Sequence, residues 1–434
     1  MSGSKITVGI LSMRLGARDG VSVEARKWEK VYRDLGYEVH LIAGEIPSSE
    51  PASTLIPLLS FLHPEIVSLA KRAFDRDLTS QQAQGLEQQI ENMAVQIEQA
   101  LQEVITEVGI SVLSIENALA IPLNLPLGLA LHRIIADTGI PSIARHHDLY
   151  WERARFQQSN VEQLLRDSFP PVIDWLAHVT INRVAKKELK LRKGVEARWF
   201  PNSFDFSTIQ GIDDYNRDLR ESLGLRAGQL LFLQPTRIIR RKGIERAIKL
   251  LTRLREDHGL DGVLVVSGPV DNREEAYAKF IFQEAARRQV SLIHAADSID
   301  LDRHIVDGQK TYSMADAYVH ADVITFPSDL EGFGNPVVEA AMYRKPLFVN
   351  RYPVLADIMS LAGDAFDFVV VKDQVTDKAT EAVYKLLTDT ALRRNVTERN
   401  FETAKAHFSL TRLSERLAKA LQDVLTMEPV TEKQ

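Results

Sequence analysis

The sequence predicts an α/β protein made of two Rossmann-like domains, and three observations carry that prediction. The chain opens as strand, glycine-bearing loop, helix and strand over residues 6–11, 14–20, 22–35 and 38–43, the start of a doubly wound sheet. A second buried strand at 229–234 leads into a basic turn and a helix at 244–256, and so begins a second series. At 434 residues the chain exceeds what one hydrophobic core usually supports. The expected organisation is an N-terminal domain over 1–205, a C-terminal domain over 206–410 and a final helical segment over 411–434.

Composition bounds the function. Hydrophobic residues make up 45% and charged residues 26%, the balance of a soluble globular chain. A net charge of -6 argues against nucleic acid as the main partner. There are 0 cysteines, which excludes disulfides, thiolate chemistry and cysteine-ligated zinc. The opening Met1-Ser2-Gly3-Ser4-Lys5 lacks the apolar core of a signal peptide, and no apolar run is long enough to span a bilayer. A cytoplasmic location without an integral membrane segment is expected.

The loop at 14–20 lacks the G-x-G-x-x-G spacing of dinucleotide sites, so a dinucleotide is not the expected ligand. The glycine at its end, Gly20, suits close contact with one phosphate or sugar; a plain turn is the alternative. Over residues 81–108, Ile90, Met93, Ile97, Leu101, Val104 and Ile105 fall at three-and-four spacing, which predicts one long helix packed on the core. Its polar face carries Gln and Glu rather than Lys and Arg, so it does not read as docking on an anionic membrane. Strands follow at 111–115 and 140–144. The second runs into His146-His147-Asp148-Leu149-Tyr150-Trp151-Glu152-Arg153, at a strand carboxyl end where open α/β sheets bind ligands. A metal on His146, His147 and Asp148 is the weaker reading, because adjacent strand residues point to opposite faces. A strand at 179–182 and a helix at 185–191 complete the first domain, and the polar stretch 203–217 is the expected linker.

The strand at 229–234 is followed by Thr236-Arg237-Ile238-Ile239-Arg240-Arg241-Lys242-Gly243. Arg240 and Arg241 read as surface residues. Further strands are expected at 263–267, 291–294, 322–327, 346–350 and 366–371, with helices at 274–288, 312–320, 380–387, 392–408 and 413–427. The densest signal is Glu331-Gly332-Phe333-Gly334-Asn335-Pro336-Val337-Val338-Glu339, a turn from strand to helix. Gly332 and Gly334 let a ligand approach the main chain closely. Asn335 fits an N-cap and Pro336 the first helical position. The free N–H groups of the first turn would then face the loop and suit an anion or sugar hydroxyls. Glu331 lies on the loop and Glu339 about one turn inside the helix, facing different parts of one elongated ligand. A capped helix with two solvated glutamates is the plain alternative.

Two glutamates eight positions apart around Gly-Phe-Gly-Asn-Pro resemble the signature of retaining glycosyltransferases with the GT-B fold, and residues 229–350 are similar to glycosyltransferase family 4. Before residue 229 only the order of strands and loops is similar. The resemblance implies two Rossmann-like domains facing across a cleft, with the C-terminal helix crossing back onto the first. It implies transfer of a hexosyl group, with retention and without a metal or other cofactor, from a nucleotide-diphosphate sugar of the GDP-mannose or UDP-glucose type to a hydroxyl. In this resemblance Arg237 and Lys242 hold the donor diphosphate, shared with the helix start at Asn335, Pro336 and Val337. Glu339 takes the ribose hydroxyls; a carboxylate offers two acceptors to a vicinal diol. Glu331, with the main chain of Phe333 and Gly334, orients the sugar, and the loop ending in Gly20 lies across the diphosphate. His147, with His146 as runner-up, contacts the sugar from the first domain. Catalysis falls to Glu331, His147, Arg237 and Lys242, with no protein nucleophile. Two departures from the family's pattern, Thr236 and Ser203 in place of glycines, bear on loop and hinge geometry.

The acceptor is expected against Arg14, Arg18, His146, Arg153 and Arg155, whose basic density suits a small anionic molecule such as a sugar acid or a phosphorylated sugar. The His-His-Asp-x-Tyr-Trp-Glu-Arg run looks like that of family members acting on small solutes, mannosylglucosylglycerate synthases among them. A lipid or polysaccharide acceptor, a GT-B nucleotide-sugar epimerase and a non-catalytic nucleotide-sugar binder are the alternatives. Retention of both glutamates and both basic residues disfavours the last.

Overall fold

The computed structural model describes residues 6–17, 19–75, 77–363 and 365–426. The chain divides into two compact units, Met1–Ser203 with Leu410–Gln434, and Phe204–Ser409.

The first unit is built on seven parallel strands: β1 (Thr7–Ser12), β2 (Glu38–Ala43), β3 (Ser53–Leu55), β4 (Val112–Glu116), β5 (Ser142–His146), β6 (Leu176–Thr180) and β7 (Arg198–Trp199). Their order is β3-β2-β1-β4-β5-β6-β7. β4 and β5 are buried along their whole length, as expected of central strands covered on both faces. The helix Ser80–Val108 starts at a Thr79–Gln82 capping box and stops at Gly109 in the left-handed region. It buries Leu86, Ile90, Met93, Ile97 and Leu101 in the core shared with the helix Leu125–Thr138, while Val104 and Ile105 are partly buried. β3 lies in a stretch for which no strand was expected; it adds three residues to the sheet edge. The C-terminal helix Leu410–Leu425 belongs to this unit and packs Leu413, Leu417, Leu421 and Val424 into the core that holds Trp28 and Tyr32.

The second unit has six parallel strands: β8 (Leu230–Gln234), β9 (Gly262–Val266), β10 (Ser291–His294), β14 (Val323–Phe326), β15 (Leu347–Asn350) and β16 (Val369–Val371). A small sheet of β11 (Ile299–Asp300), β12 (His304–Val306) and β13 (Gln309–Ser313) stands apart from it. The large sheet runs β10-β9-β8-β14-β15-β16. Three expectations are corrected. The helix expected at 312–320 is the end of β13 followed by a helix Met314–His320, because Ser313 caps that helix through Asp316 N–H at 3.1 Å. The strand expected at 366–371 is halved: Phe366 and Phe368 stack on each other with centroids 4.8 Å apart, and pairing starts at Val369. The expected linker 203–217 belongs to the second unit from Phe204 onward and is tied into it. Phe204 N–H donates to Phe408 O at 2.8 Å, and Asn216 donates to the buried Asp316 carboxylate at 2.7 Å. Asn216 is buried as a partner of that carboxylate, while Ser207, Thr208, Asp213, Asp214 and Arg217 face solvent as a linker's polar residues would. Among the described residues no helix is long and apolar enough to cross a membrane.

Candidate active site

Each large sheet reverses its order of strand addition between two central strands, β1 and β4 in the first unit and β8 and β14 in the second. Loops at the carboxyl ends of such strands form the ligand crevice of a doubly wound sheet. In each unit, the residues singled out from the sequence lie at or beyond strand carboxyl ends.

In the second unit Glu331 follows β14 and is nearly buried. Lys242 Nζ lies 2.5 Å from its Oε1 and Arg241 NH1 3.0 Å from its Oε2. Arg241 also donates to Leu330 O at 2.6 Å. The basic turn after β8 is therefore clamped to the glutamate loop after β14. Arg241 is partly exposed, as expected, but it pairs with a residue 90 positions away in sequence, and nothing local announces that pairing. Burial holds Lys242 below the ordinary lysine value, against the opposing pull of Glu331. Arg237 stands outside this clamp, half-exposed, with NH1 3.1 Å from Asp271 Oδ2.

The helix after the loop runs Asn335–Met342, and its N-cap is Gly334 at φ 101 rather than Asn335. A Cβ on Gly334 would lie 2.1 Å from the Tyr352 hydroxyl, which donates to Phe333 O at 2.9 Å. Close packing against Tyr352 thus takes the left-handed cap for glycine and moves asparagine into the first turn. Val337 N–H donates back to Gly334 O at 3.0 Å and Pro336 has no N–H, so the first turn offers fewer amides than a free helix end. Phe333 is buried, with its ring 6.0 Å from that of Phe408. Glu339, one turn in, accepts from the Tyr318 hydroxyl at 2.6 Å. Burial, reinforced by Glu339, pushes the Tyr318 phenol well above its ordinary value, so it is a donor.

In the first unit the loop after β1 is ordered by Asp19, whose carboxylate accepts from Val21 and Ser22 N–H at 3.0 and 3.1 Å and from Arg14 Nε at 3.1 Å. The helix it caps begins at Gly20, and a Cβ there would meet nothing within 4 Å. The residue that sterics require to be glycine is Gly16, at φ 72, where a Cβ would lie 2.5 Å from Pro47 Cδ. Arg18 lies outside the described residues.

After β5 the two histidines part company, as strand alternation requires. His146 is fully buried and its Nε2 lies 2.9 Å from His178 Nδ1. Burial lowers both rings, His178 to about 4, so neither is a cation near neutrality. This removes His146 from the acceptor set. His147 faces the other way, with Nε2 3.0 Å from Glu116 Oε2 and its main-chain N–H held by Asn117 Oδ1 at 3.0 Å. Asp148 is tied to Asn117 and to Arg153 Nε at 3.3 and 2.6 Å. Arg153 and Arg155 are about half-exposed, Arg155 pairing with Asp75 at 3.3 Å. Among the described residues no three His, Asp or Glu side chains are grouped to hold a metal ion.

Residues 216–403 match the family model described as glycosyl transferases group 1. The chain is 29% identical to the mannosylglucosylglycerate synthase of Thermotoga maritima over 95% of this chain and 99% of that one. It is 30% identical to the mannosylglucosylglycerate synthase of Petrotoga mobilis over 88% of this chain and 93% of that one. Among solved structures, the sucrose-phosphate synthase of Thermosynechococcus elongatus superposes with a TM-score of 0.66 at 14% identity, covering 98% of this chain and 100% of that one, a likeness of fold. With two Rossmann-like units, a returning C-terminal helix and a glutamate–lysine clamp at the second switch point, the chain belongs to the GT-B glycosyl transferases of group 1, enzymes that take a sugar from a nucleotide-diphosphate donor.

Proposed function

We propose that the protein is a retaining, metal-independent hexosyltransferase that moves mannose from a nucleotide-diphosphate sugar to a hydroxyl of a small anionic acceptor of the glucosylglycerate kind. The observation that carries this is Glu331, held by Lys242 and Arg241 in the loop after β14, with Glu339 one turn into the following helix. The names of the two relatives, which describe synthesis of a mannosylated glucosylglycerate, support the acceptor class.

In this reading Glu339 accepts the ribose hydroxyls, and Tyr318 holds its carboxylate in place. Lys242 and Arg237 meet the diphosphate, joined by the helix start at Asn335, Pro336 and Val337 and by the loop at Gly20. Arg237 leaves Asp271 to do so, a half-exposed pair worth at most about 1 kcal/mol. Glu331, with the main chain of Phe333 and Gly334, orients the hexose, and His147 is assigned to the same sugar. The bond from the anomeric carbon to the phosphate oxygen breaks while a bond to the acceptor oxygen forms on the same face. The acceptor's proton passes to the departing phosphate. Cations fixed where that phosphate gains charge stabilise the transition state more than the ground state. Arg14, Arg153 and Arg155 are assigned to the acceptor's anionic group.

Nucleotide release across UDP-, GDP- and ADP-sugars, followed by an acceptor screen with the winning donor, tests the reading. GDP-mannose with glucosylglycerate is the expected pair. Turnover of the sugar nucleotide with neither acceptor nor nucleotide release would make it an epimerase, and exclusive use of lipid or polysaccharide acceptors would overturn the acceptor class.

A further inference from the structure

We infer that Glu116 is a positioning residue for His147: it fixes the imidazole with its proton on Nε2 and leaves the Nδ1 lone pair as the atom offered to a hydroxyl of the donor sugar. This rests on the assignment of His147 to that sugar.

Glu116 ends β4, level with Arg145 on β5. Its side chain is fully buried, with Oε2 3.0 Å from His147 Nε2 and 3.7 Å from Arg145 NH1, and Oε1 lacks a hydrogen-bond partner. A buried carboxylate is costly unless charge and hydrogen bonds meet it. Arg145 supplies charge, but its NH1 stands too far off for a hydrogen bond, and its NH2 is taken by Glu24 Oε2 at 2.8 Å and Asn202 Oδ1 at 3.1 Å. The Trp28 ring, 4.7 Å from the guanidinium, covers it further. Glu24 is itself met by Lys27 at 2.5 Å. The cluster therefore holds two carboxylates, Glu24 and Glu116, against two fixed cations, Lys27 and Arg145. The hydrogen bond that Glu116 still needs comes from the His147 ring.

An ionised carboxylate can only accept. The proton must then sit on His147 Nε2, which makes Nδ1 an acceptor. Asn117 holds the main chain of the same histidine and sits at φ 60, so the ring of His147 is set by the last residue of β4 and its backbone by the residue that follows. His147 keeps 12% exposure at the strand's carboxyl end while the groups that hold it are buried. This is the usual division between a residue that meets a ligand and one that aims it.

Side-chain nitrogen spectra of the full-length, histidine-labelled protein test the tautomer directly, with His147→Gln to assign the signals. At neutral pH His147 Nδ1 should be pyridine-like and Nε2 pyrrole-like; the opposite pattern overturns the inference. This measurement uses the wild-type chain and does not depend on any variant folding. In kinetics, Glu116→Leu should lower kcat about 10- to 100-fold, as for other residues that orient a functional histidine, with the donor KM little changed. Glu116→Gln keeps an acceptor and should recover most of kcat. Glu116→Leu combined with His147→Ala should be no worse than His147→Ala alone; additive losses would overturn the inference. If His147→Ala leaves turnover unchanged, both first-unit roles fail while the assignments of Glu331, Lys242 and Glu339 stand.

Discussion

Glu331 and Glu339 are eight positions apart, yet their surroundings differ in kind. Glu331 is nearly buried between Lys242 and Arg241, whereas Glu339 meets a buried, neutral Tyr318 hydroxyl at 2.6 Å. In the proposed reading Glu339 holds the ribose, away from the bond being broken, so its contacts are alike in ground and transition states. Glu339→Ala should mainly weaken donor and free nucleotide binding. Glu331 faces the hexose, where small displacements reach the reacting carbon. Glu331→Ala should cut kcat by about a hundredfold or more, on the scale of a lost transition-state contact. Free nucleoside diphosphate should bind Glu331→Ala at least as well as it binds the unaltered enzyme, since Lys242 is no longer shared with a carboxylate. Calorimetric titration of both variants decides this. Lost affinity in Glu331→Ala with affinity kept in Glu339→Ala would mean the ligand lies the opposite way round.

At the scale of elements, the basic turn after β8 carries a pH signature. Burial holds Lys242 below the ordinary lysine value of 10.5. Between its own lowered value and 10.5 the folded chain has lost a proton that the unfolded chain keeps, so this group's contribution to stability rises with pH across that window. Activity should move the other way, because an uncharged Lys242 no longer meets the diphosphate. The kcat/KM for donor should fall on the alkaline side before pH 10.5, and Lys242→Arg, which stays charged, should carry that fall to higher pH. An alkaline limb unmoved by Lys242→Arg would assign it to another group. The C-terminal helix Leu410–Leu425 makes a second prediction. Leu417 is fully buried in the core with Trp28 and Tyr32, so Leu417→Ala should cost about 2–5 kcal/mol in denaturant unfolding; a loss under about 1 kcal/mol would mean the helix is not packed there. Elements of this kind were legible in the sequence because period and length announce them: the 29-residue helix Ser80–Val108, the buried strands and the terminal helix. Short or context-dependent elements were not. β3 and β11 have three and two residues, too few for a period. The Asn335 cap was misplaced because Tyr352, seventeen positions on, decides that geometry. Both glutamates and Lys242 could be singled out because they fall on a family motif, whereas Arg241, Tyr318 and Glu116 fall on none and are marked only by partners distant in sequence.

For the whole molecule the question is how a chain of net charge -6 handles a donor that is itself an anion. Its cations are not spread evenly. Arg237, Arg240, Arg241 and Lys242 fall within one turn at the carboxyl end of β8, where the sheet's order reverses. A departing nucleoside diphosphate needs its growing charge met by a divalent ion or by fixed cations. In the proposed reading Lys242 serves the second route: it is nearly buried, held by Glu331, and a low-dielectric setting would strengthen its pull on a phosphate. Arg237 is half-exposed and can swing from Asp271 at small cost. Turnover should therefore continue in excess EDTA at the rate seen without it. Arg237→Ala and Lys242→Ala should each lower kcat, and added magnesium should restore neither. Complete loss of activity in EDTA, recovered with magnesium or manganese, would show that the leaving phosphate is neutralised by a metal and that the basic turn serves only to bind the donor.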